Sequence, residues 1–316
     1  MTTRTLATCL ALGTAIAVPA GPATADDPVR RSFDAAPGAR LVVDTDFGAV
    51  DIQSRTRDGI EVVVERHESL ELEFEQSDGV VTIQGRRKGP RWRFWDWEKQ
   101  PRFRISVPYQ HDVELRTAGG DIAIDRLEGE VFARTSGGDV RIGEVDGPVQ
   151  ARTSGGSVGI ARAHETVART SGGDIRIGDA QGHVSATTSG GSIETEAVAG
   201  DVAAKTSGGS IRVRGVNGAV QAKTSGGSIS AEFIAQPNAP SELRTSGGNV
   251  TVYLPDEIAV DLNARTSGGR VSTDFPVTMV GELSSNNRLE TALNGGGPAM
   301  ALRTSGGSIR LRRLQQ

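Results

Sequence analysis

The hydroxyl groups of a repeated four-residue motif are the first candidates for chemistry in this chain of 316 residues. Thr-Ser-Gly-Gly occurs nine times, and a tenth copy at Thr117 reads Thr-Ala-Gly-Gly. A serine or threonine acts as a nucleophile when a neighbouring base accepts its proton. The four histidines, His67, His111, His164 and His183, stand at unrelated positions. A catalytic serine in so many copies has no physical rationale, so the motif indicates a structural corner.

Carboxylates are the second candidates, because some polysaccharide lyases and hydrolases place them on one face of a β-helix. The outward acids here, Glu144, Asp146, Glu194 and Glu196, share no column of the repeat, and no triad or metal set is indicated. A calcium β-roll has the repeat G-G-x-G-x-D twice per 18-residue turn, whereas this chain has one glycine pair per turn without the following glycine and aspartate. The acylated hexapeptide helix needs an aliphatic residue at every sixth position, and from Val140 that register reaches Asp146 and Arg152. We therefore predict a non-catalytic protein without metal or cofactor. A polysaccharide-active β-helix enzyme is the alternative.

The only cysteine, Cys9, lies in an N-terminal segment with the form of an export signal. Arg4 supplies a positive start, an apolar run extends from Leu6 to Val18, and small residues precede a cleavage site after Ala25. The run is short for a bilayer span, and no other long apolar run follows. We predict a signal peptide over residues 1–25, with a retained anchor as the alternative. The cleaved protein would be extracytoplasmic (periplasmic, cell-surface or secreted), without a thiol and without a membrane span.

Composition argues against a nucleic-acid partner and against a thick core. The chain has 35 basic and 39 acidic side chains, for a net charge of -4, so it has no polycationic character. Aromatic residues make up only 4% of the chain, and 41 positions are glycine. This composition suits many tight turns around small aliphatic side chains.

The motif recurs with a nearly constant period. Successive motif threonines are 18, 18, 17, 18, 18 and 18 residues apart, and then 21, 21 and 38. The fifth residue after each threonine is always valine or isoleucine, and the second residue before it is always alanine or leucine. Such alternation around a fixed period predicts stacked short strands. The motif threonines are Thr117, Thr135, Thr153, Thr170, Thr188, Thr206, Thr224, Thr245, Thr266 and Thr304.

These columns predict an all-β fold, a right-handed parallel β-solenoid (β-helix) of about 18 residues per coil. We expect three extended pieces per coil, separated by glycine-bearing corners. The motif glycines would supply a positive φ or a close backbone approach. The motif threonine would point inward and form a hydroxyl ladder with its copies in neighbouring coils. Val140, Val158 and Ile175 should then be stacked neighbours.

The region before Thr117 departs from the repeat. Residues 41–52 fit one early coil around Thr45, and alternating strands follow that could form an N-terminal β-strand cap region. We therefore divide the chain into the signal peptide, an N-terminal β region over 26–110, and β-solenoid repeats over 111–316. The N-terminal region contains a loop over 86–104 that is rich in Trp and Arg.

That loop carries the only tryptophans of the chain, Trp92, Trp95 and Trp97, among eight basic residues and two acids. Exposed aromatic rings beside arginine stack on sugars or bases, or settle at a membrane interface. Alternatively, the tryptophans fold back and plug the end of the solenoid. The three residues are candidate ligand-binding groups under the first interpretation.

A column of basic residues immediately precedes the motif threonine in nine of ten copies. By alternation it should point outward as a stripe of like charges. A polyanion such as an acidic envelope polysaccharide would compensate this charge. Alternatively, Asp121, Asp139, Asp174, Glu114 and Glu242 could pair with it internally. The candidate ligand-binding residues in this column are Arg134, Arg152, Arg169, Lys205 and Lys223.

Together, the signal peptide, the strand motif over 106–110, the T-[SA]-G-G-x-[VI] coils and the closing LNGGG and LRTSGGSIRL segments resemble the bacterial putative-adhesin family of exported β-strand-repeat proteins. The resemblance covers residues 41–311. It implies an exported β-helical protein, a domain of unknown function with an adhesin label, and no catalytic residues. We predict an envelope adhesin or scaffold that binds a polymeric ligand.

Overall fold

The computed structural model describes residues 27–89, 100–276 and 286–314. Within them the regular elements form two 14-stranded sheets, which we call sheet A and sheet B, with strands numbered along the chain. Sheet A runs in the order β1 (Val29–Phe33), β4 (Ile60–Glu65), β7 (Arg102–Pro108), β3 (Ala49–Arg55), β9 (Ile122–Glu128), β11 (Val140–Asp146), β13 (Val158–Ala163), β15 (Ile175–Ala180), β17 (Ile193–Thr195), β19 (Ile211–Val216), β21 (Ile229–Phe233), β23 (Val250–Leu254), β28 (Ile309–Arg313) and β25 (Val271–Thr273). Sheet B runs in the order β26 (Arg288–Leu293), β24 (Val260–Thr266), β27 (Ala299–Thr304), β22 (Ser241–Arg244), β20 (Val220–Lys223), β18 (Val202–Lys205), β16 (Val184–Thr187), β14 (Thr166–Arg169), β12 (Val149–Arg152), β10 (Val131–Arg134), β8 (Asp112–Thr117), β2 (Arg40–Thr45), β6 (Val80–Arg87) and β5 (Leu70–Ser77).

Each repeat contributes one strand to each sheet, and equivalent residues of successive repeats pair in parallel. In sheet A, Val140 pairs with Val158, which pairs with Ile175. The stacking predicted from the columns is therefore confirmed, and the molecule is a β-solenoid-like stack. The three extended pieces predicted per coil are reduced to two strands in most coils, where the second and third pieces form one strand, as in β11. In the coil of β17 they are separate, because β17 ends at Thr195 and Val198 forms only isolated bridges.

The two sheets enclose one thin core. Sheet A contributes the valine and isoleucine column that includes Val140, and sheet B contributes the alanine column that includes Ala133, both fully buried. The small alanines let the sheets approach each other closely, which suits the low aromatic content. One contiguous cluster of buried side chains runs from Ala35 to Leu311. The N-terminal region and the repeats therefore share the same interior.

At the N-terminal end the coils do not stack in sequence order. Strand β2 lies between β6 and β8, and it pairs Thr45 with Gly85 on one side and with Thr117 on the other. The early coil expected around Thr45 is thus present and in register. Antiparallel strands β5, β4 and β1 cover the outer edges. These strands protect the sheet edges that an open solenoid end would expose.

The predicted loop over 86–104 follows Gly85, which is in register with Thr45 and, through it, with the motif threonine Thr117. Its ends are extended, because β6 continues through Arg87 and β7 begins at Arg102. Trp92, Trp95 and Trp97 lie outside the described residues, so both interpretations of the loop stay predictions.

At the C-terminal end, too, the order of the strands in each sheet differs from their order along the chain. Strand β27 lies between β22 and β24, and β28 lies between β23 and β25. The last coil of the chain is therefore inserted between two earlier coils. Antiparallel β26 then covers the outer side of β24. Within the described ranges, no helix has the length and apolar character needed to cross a bilayer.

Candidate ligand-binding face

The motif threonine is buried and bonds to the backbone of the neighbouring coil. The Oγ1 hydroxyl of Thr135 donates to the carbonyl oxygen of Gly120 at 2.8 Å, and that of Thr153 donates to Gly138 at 2.8 Å. The inward direction matches the prediction, whereas the hydroxyl ladder was wrong. The second motif glycine lies in a corner, outside the strand ladder, and its carbonyl accepts this hydroxyl proton instead. The hydroxyl thus satisfies a backbone acceptor at the corner.

The second motif glycine is required by close approach between coils. A Cβ atom built on Gly138 would lie 2.3 Å from the carbonyl oxygen of Gly120, whereas one on Gly137 would meet nothing nearer than 3.8 Å. Neither glycine has a positive φ. Of the two reasons expected for these glycines, the structure supports close approach.

A second ladder follows the motif, and sequence reasoning missed it. The Oδ1 atom of Asp139 accepts the backbone N–H of Ser157 at 2.8 Å, and Asp174 does the same for Ser192. The sequence contains a pattern that could have predicted this ladder, because the fourth residue after the motif threonine is Asp, Ser or Asn in nine of ten copies. These short polar side chains hold successive coils in register.

The stripe predicted before the motif lies on the outer face of sheet B. Arg134 pairs in register with Arg152, and Arg152 with Arg169. After a gap at Thr187, Lys205 pairs with Lys223. The structure therefore brings all five predicted basic residues into one line across the strands. This basic stripe consists of Arg116, Arg134, Arg152, Arg169, Lys205, Lys223, Arg244, Arg303 and Arg265.

Two members of the basic stripe have a carboxylate partner. Arg116 lies 2.5 Å from Glu114, and the Nζ atom of Lys223 lies 2.6 Å from Glu242. The hydrogen bond from Lys223 lowers the pKa of Glu242, against an opposing effect of desolvation, and the charges of Lys223, Arg303 and Arg244 lower it further. The other seven cations make no ion pair within 4.0 Å to any residue that the structure describes.

The internal pairing expected from three aspartates was wrong. Asp139 lies 2.6 Å from Arg141, Asp174 lies 3.3 Å from Arg176, and Asp121 also lies near Arg141. Both arginines are on sheet A, because the motif corner turns the following residue away from sheet B.

The outer face of sheet A is electrostatically balanced by comparison. Arg162 contacts Asp179 and Glu144, while Arg214 contacts Glu194 and Glu196. These last two carboxylates line a shallow groove of about 800 Å³. Because each is bound by arginine, the groove does not present them as a free acid and base.

The histidines and carboxylates considered as metal ligands or catalytic groups do not form a common site among the described residues. Within the described ranges, no three His, Cys, Asp or Glu side chains are close enough to hold a metal ion. His164 pairs with Asp146, and the Nδ1 atom of His183 accepts the backbone N–H of Asp201. The basic stripe is therefore the arrangement that suits a ligand, namely an extended anion.

Comparison with known proteins gives one family match and several similar folds. A family model described as Toastrack DUF4097 matches residues 39–312. A crystal structure of a putative cell adhesion protein from Clostridium sporogenes is 13% identical and has a TM-score of 0.23, covering 91% of this chain and 100% of that chain. A putative adhesin from Bacteroides fragilis is 10% identical, with a TM-score of 0.32 and coverage of 91% and 97%. A putative lipid binding protein from Parabacteroides distasonis is 12% identical, with a TM-score of 0.36 and coverage of 92% and 97%. No curated protein matches the sequence.

Proposed function

The chain belongs to the Toastrack DUF4097 family, and on that premise we propose that it is an exported, non-catalytic β-solenoid that binds an acidic envelope polysaccharide along the basic stripe. The family match confirms the resemblance to the putative-adhesin proteins. In this proposal the coils wind to the right, as parallel crossovers almost always do. The export signal over residues 1–25, which lies outside the described residues, delivers the protein to the periplasm or the cell surface.

The observation that carries the proposal is a line of nine like charges, seven of which have no ion pair to any described residue. Neighbouring strands lie about 4.8 Å apart, so two adjacent cations repel each other by on the order of 1 kcal/mol even in water. The register of sheet B imposes this repulsion wherever two stripe cations are neighbours, as for Arg134, Arg152 and Arg169. A polyanion lying along the solenoid axis would reverse the sign of this electrostatic energy.

The spacing and overall charge favour a polysaccharide over a nucleic acid. The basic stripe spans ten strands, or roughly 45 Å, and its neighbouring cations are about 4.8 Å apart except at the gap at Thr187. Phosphates in a DNA strand follow at about 3.4 Å along the axis and would fall out of phase with the cations. The chain as a whole is acidic, with a net charge of -4, which opposes non-specific nucleic-acid binding.

A non-catalytic role is supported by the arrangement of the cations. They are spread over successive coils and point outward, so they do not converge on one scissile bond. Catalysis requires a nucleophile or an acid and base held at one reacting centre. Incubating the protein with acidic and neutral polysaccharides and measuring released reducing ends tests the enzymatic alternative directly. Turnover that persists after the purification tag is exchanged would establish it.

The binding experiment compares two triple variants that alter the same three coils. Arg134, Arg152 and Arg169 on sheet B are replaced by Gln in the first variant. The matched control carries the same replacement at three arginines of sheet A, namely Arg141, Arg162 and Arg176. Both variants lose three positive charges, so net charge alone cannot separate them.

We expect the sheet B variant to bind immobilised alginate about ten- to a hundredfold more weakly, because each exposed ion pair contributes about 0.5–1 kcal/mol. The sheet A control should change affinity by less than about threefold, and added salt should weaken wild-type binding through screening. Equal losses in both variants, or none in either, would refute binding along the basic stripe. Thermal unfolding of each variant verifies that the fold is retained.

A further inference from the structure

A shallow pocket of about 390 Å³ lies on the outer face of sheet B beside the basic stripe. Its floor consists of small outward side chains in three adjacent strands, Val167 in β14, Ser185 in β16 and Ala203 in β18. The equivalent positions in the two preceding coils are Phe132 and Gln150, which have larger side chains. We call this depression the sheet B pocket.

The wall of the sheet B pocket comes from an irregular repeat. Thr224 and Thr245 are 21 residues apart, and the extra residues lengthen the connection before β22. Ala239 and Pro240 in that connection line the pocket, and Gln221 donates its Nε2–H to the carbonyl oxygen of Pro240 at 2.9 Å. The side-chain amide thus holds the wall in place. One departure from the repeat period creates an asymmetric recess on a regular face.

The basic stripe is interrupted at strand β16, which also contributes to the pocket floor. Thr187 occupies the stripe position in β16, the strand whose outward neighbour Ser185 forms the pocket floor. Arg169 and Lys205 flank this gap at a separation of two strand spacings, or about 10 Å. Both outward residues of β16 are therefore small and neutral, in the middle of an otherwise cationic line.

Acidic residues border the sheet B pocket on the side away from the stripe. Glu165, Asp201 and His183 belong to its lining, and the Nδ1 atom of His183 accepts the backbone N–H of Asp201. Asp201 is held by its Oδ1 atom, which accepts the backbone N–H of Ala219 at 2.8 Å. An anionic sugar unit placed here would meet carboxylates and no stripe cation. A neutral unit would meet the methyl groups of Val167 and Ala203 and the hydroxyl of Ser185. The charges around the pocket therefore disfavour an anionic sugar unit at the height of β16.

We infer that the sheet B pocket binds a neutral, N-acetylated sugar unit of the acidic polysaccharide, while the flanking cations bind its charged units. This inference rests on the proposed function and specifies the repeat chemistry of its ligand. The acetamido methyl group packs against Val167 and Ala203, and the amide hydrogen-bonds to Ser185, whose hydroxyl has no protein partner among the described residues. Across the three strands from Arg169 to Lys205, a charged unit, a neutral unit and a second charged unit match the cation, gap and cation of the stripe.

Two probe polymers distinguish this inference from simple polyanion binding. Hyaluronan alternates a uronate with an N-acetylated sugar, whereas every unit of alginate is a uronate. The test variant is Ala203→Trp, which fills the sheet B pocket from an exposed outward position. Its matched control is Ala161→Trp, at an exposed outward position of sheet A. A third variant, Thr187→Arg, fills the gap in the basic stripe.

We expect Ala203→Trp to weaken hyaluronan binding by about tenfold, the effect of losing one well-fitted apolar group from a pocket. Alginate binding should change by less than about threefold, and Ala161→Trp should leave both polymers unaffected. Thr187→Arg should strengthen alginate binding and weaken hyaluronan binding. Equal effects of Ala203→Trp on both polymers, or none on either, would overturn the pocket assignment alone. Failure of the wild-type protein to bind either polymer would overturn the proposed function and this inference with it.

Discussion

The two glycines of one motif give the sharpest test of how the coils are held together. We predict that Gly138→Ala destabilises the protein strongly, whereas Gly137→Ala, one residue earlier, leaves stability unchanged or raises it slightly. The new Cβ atom at position 138 would lie 2.3 Å from the carbonyl oxygen of Gly120 and 2.4 Å from its carbon. These atoms belong to the backbone of the neighbouring coil, so the two coils must separate.

The magnitude follows from what that separation disturbs. Overpacking against rigid neighbours costs about 1–3 kcal/mol. The carbonyl of Gly120 also accepts the hydroxyl proton of Thr135 at 2.8 Å, and losing this hydrogen bond costs about 1 kcal/mol. The sum is about 2–4 kcal/mol of unfolding free energy for Gly138→Ala. At position 137 the nearest atom to the Cβ is 3.8 Å away. The alanine there restricts the unfolded chain and contributes about 0.4–1 kcal/mol.

Urea unfolding followed by circular dichroism measures both variants against wild type. The difference between the two unfolding free energies should be about 2.5–5 kcal/mol, provided that the denaturant dependence is the same for all three proteins. Equal stability of the two variants would refute close approach as the reason for the second glycine. A greater loss for Gly137→Ala would show that the coils pack differently at this corner.

Two buried polar groups give predictions of opposite sign. Thr195 is fully buried, and its hydroxyl has no partner among the described residues, so Thr195→Val should stabilise by about 1 kcal/mol in thermal or urea unfolding. The matched Thr206→Val should destabilise by about 1–2 kcal/mol, because it leaves the carbonyl of Gly191 without its hydroxyl donor; a gain in both variants would contradict this reasoning. Burial lowers the pKa of His111, against an opposing effect of Asp112, so the folded protein binds a proton less readily than the unfolded chain. Stability should therefore fall as the pH drops below the unfolded pKa of about 6.5, by at most about 1.4 kcal/mol per pH unit, and His111→Leu should remove this component of the pH dependence.

Much of the architecture could be predicted because the repeat is nearly regular. The period and the alternating columns around each motif are sufficient to place the strands, their inward faces and their parallel register. Val140, Val158 and Ile175 stack as expected, because equivalent side chains one period apart must share one interior. The outward line of Arg134, Arg152 and Arg169 follows from the same alternation.

Other features depend on groups that meet only after the chain has folded. The partner of the Thr135 hydroxyl is a carbonyl in another coil, and the column pattern does not say which nearby acceptor lacks a bond. Likewise, Asp139 contacts Arg141 and not the basic stripe, because its side chain lies on the sheet A side of the motif corner. A period locates residues along the chain, whereas an ion pair depends on the direction of each side chain.

The amino-acid sequence by itself determined the strand pattern, the composition of each inward column and the outward position of the basic stripe. Only the tertiary structure decided the order of the end coils, where β2 lies between β6 and β8 and β27 lies between β22 and β24. It also brought the gap at Thr187 and the wall at Pro240 onto one face. The physical reason is that periodicity encodes contacts between neighbouring repeats. The changes in strand order at the two ends arise from contacts between distant segments, which reduce the exposed edges of the stack, whereas the pocket arises where one repeat departs from the period.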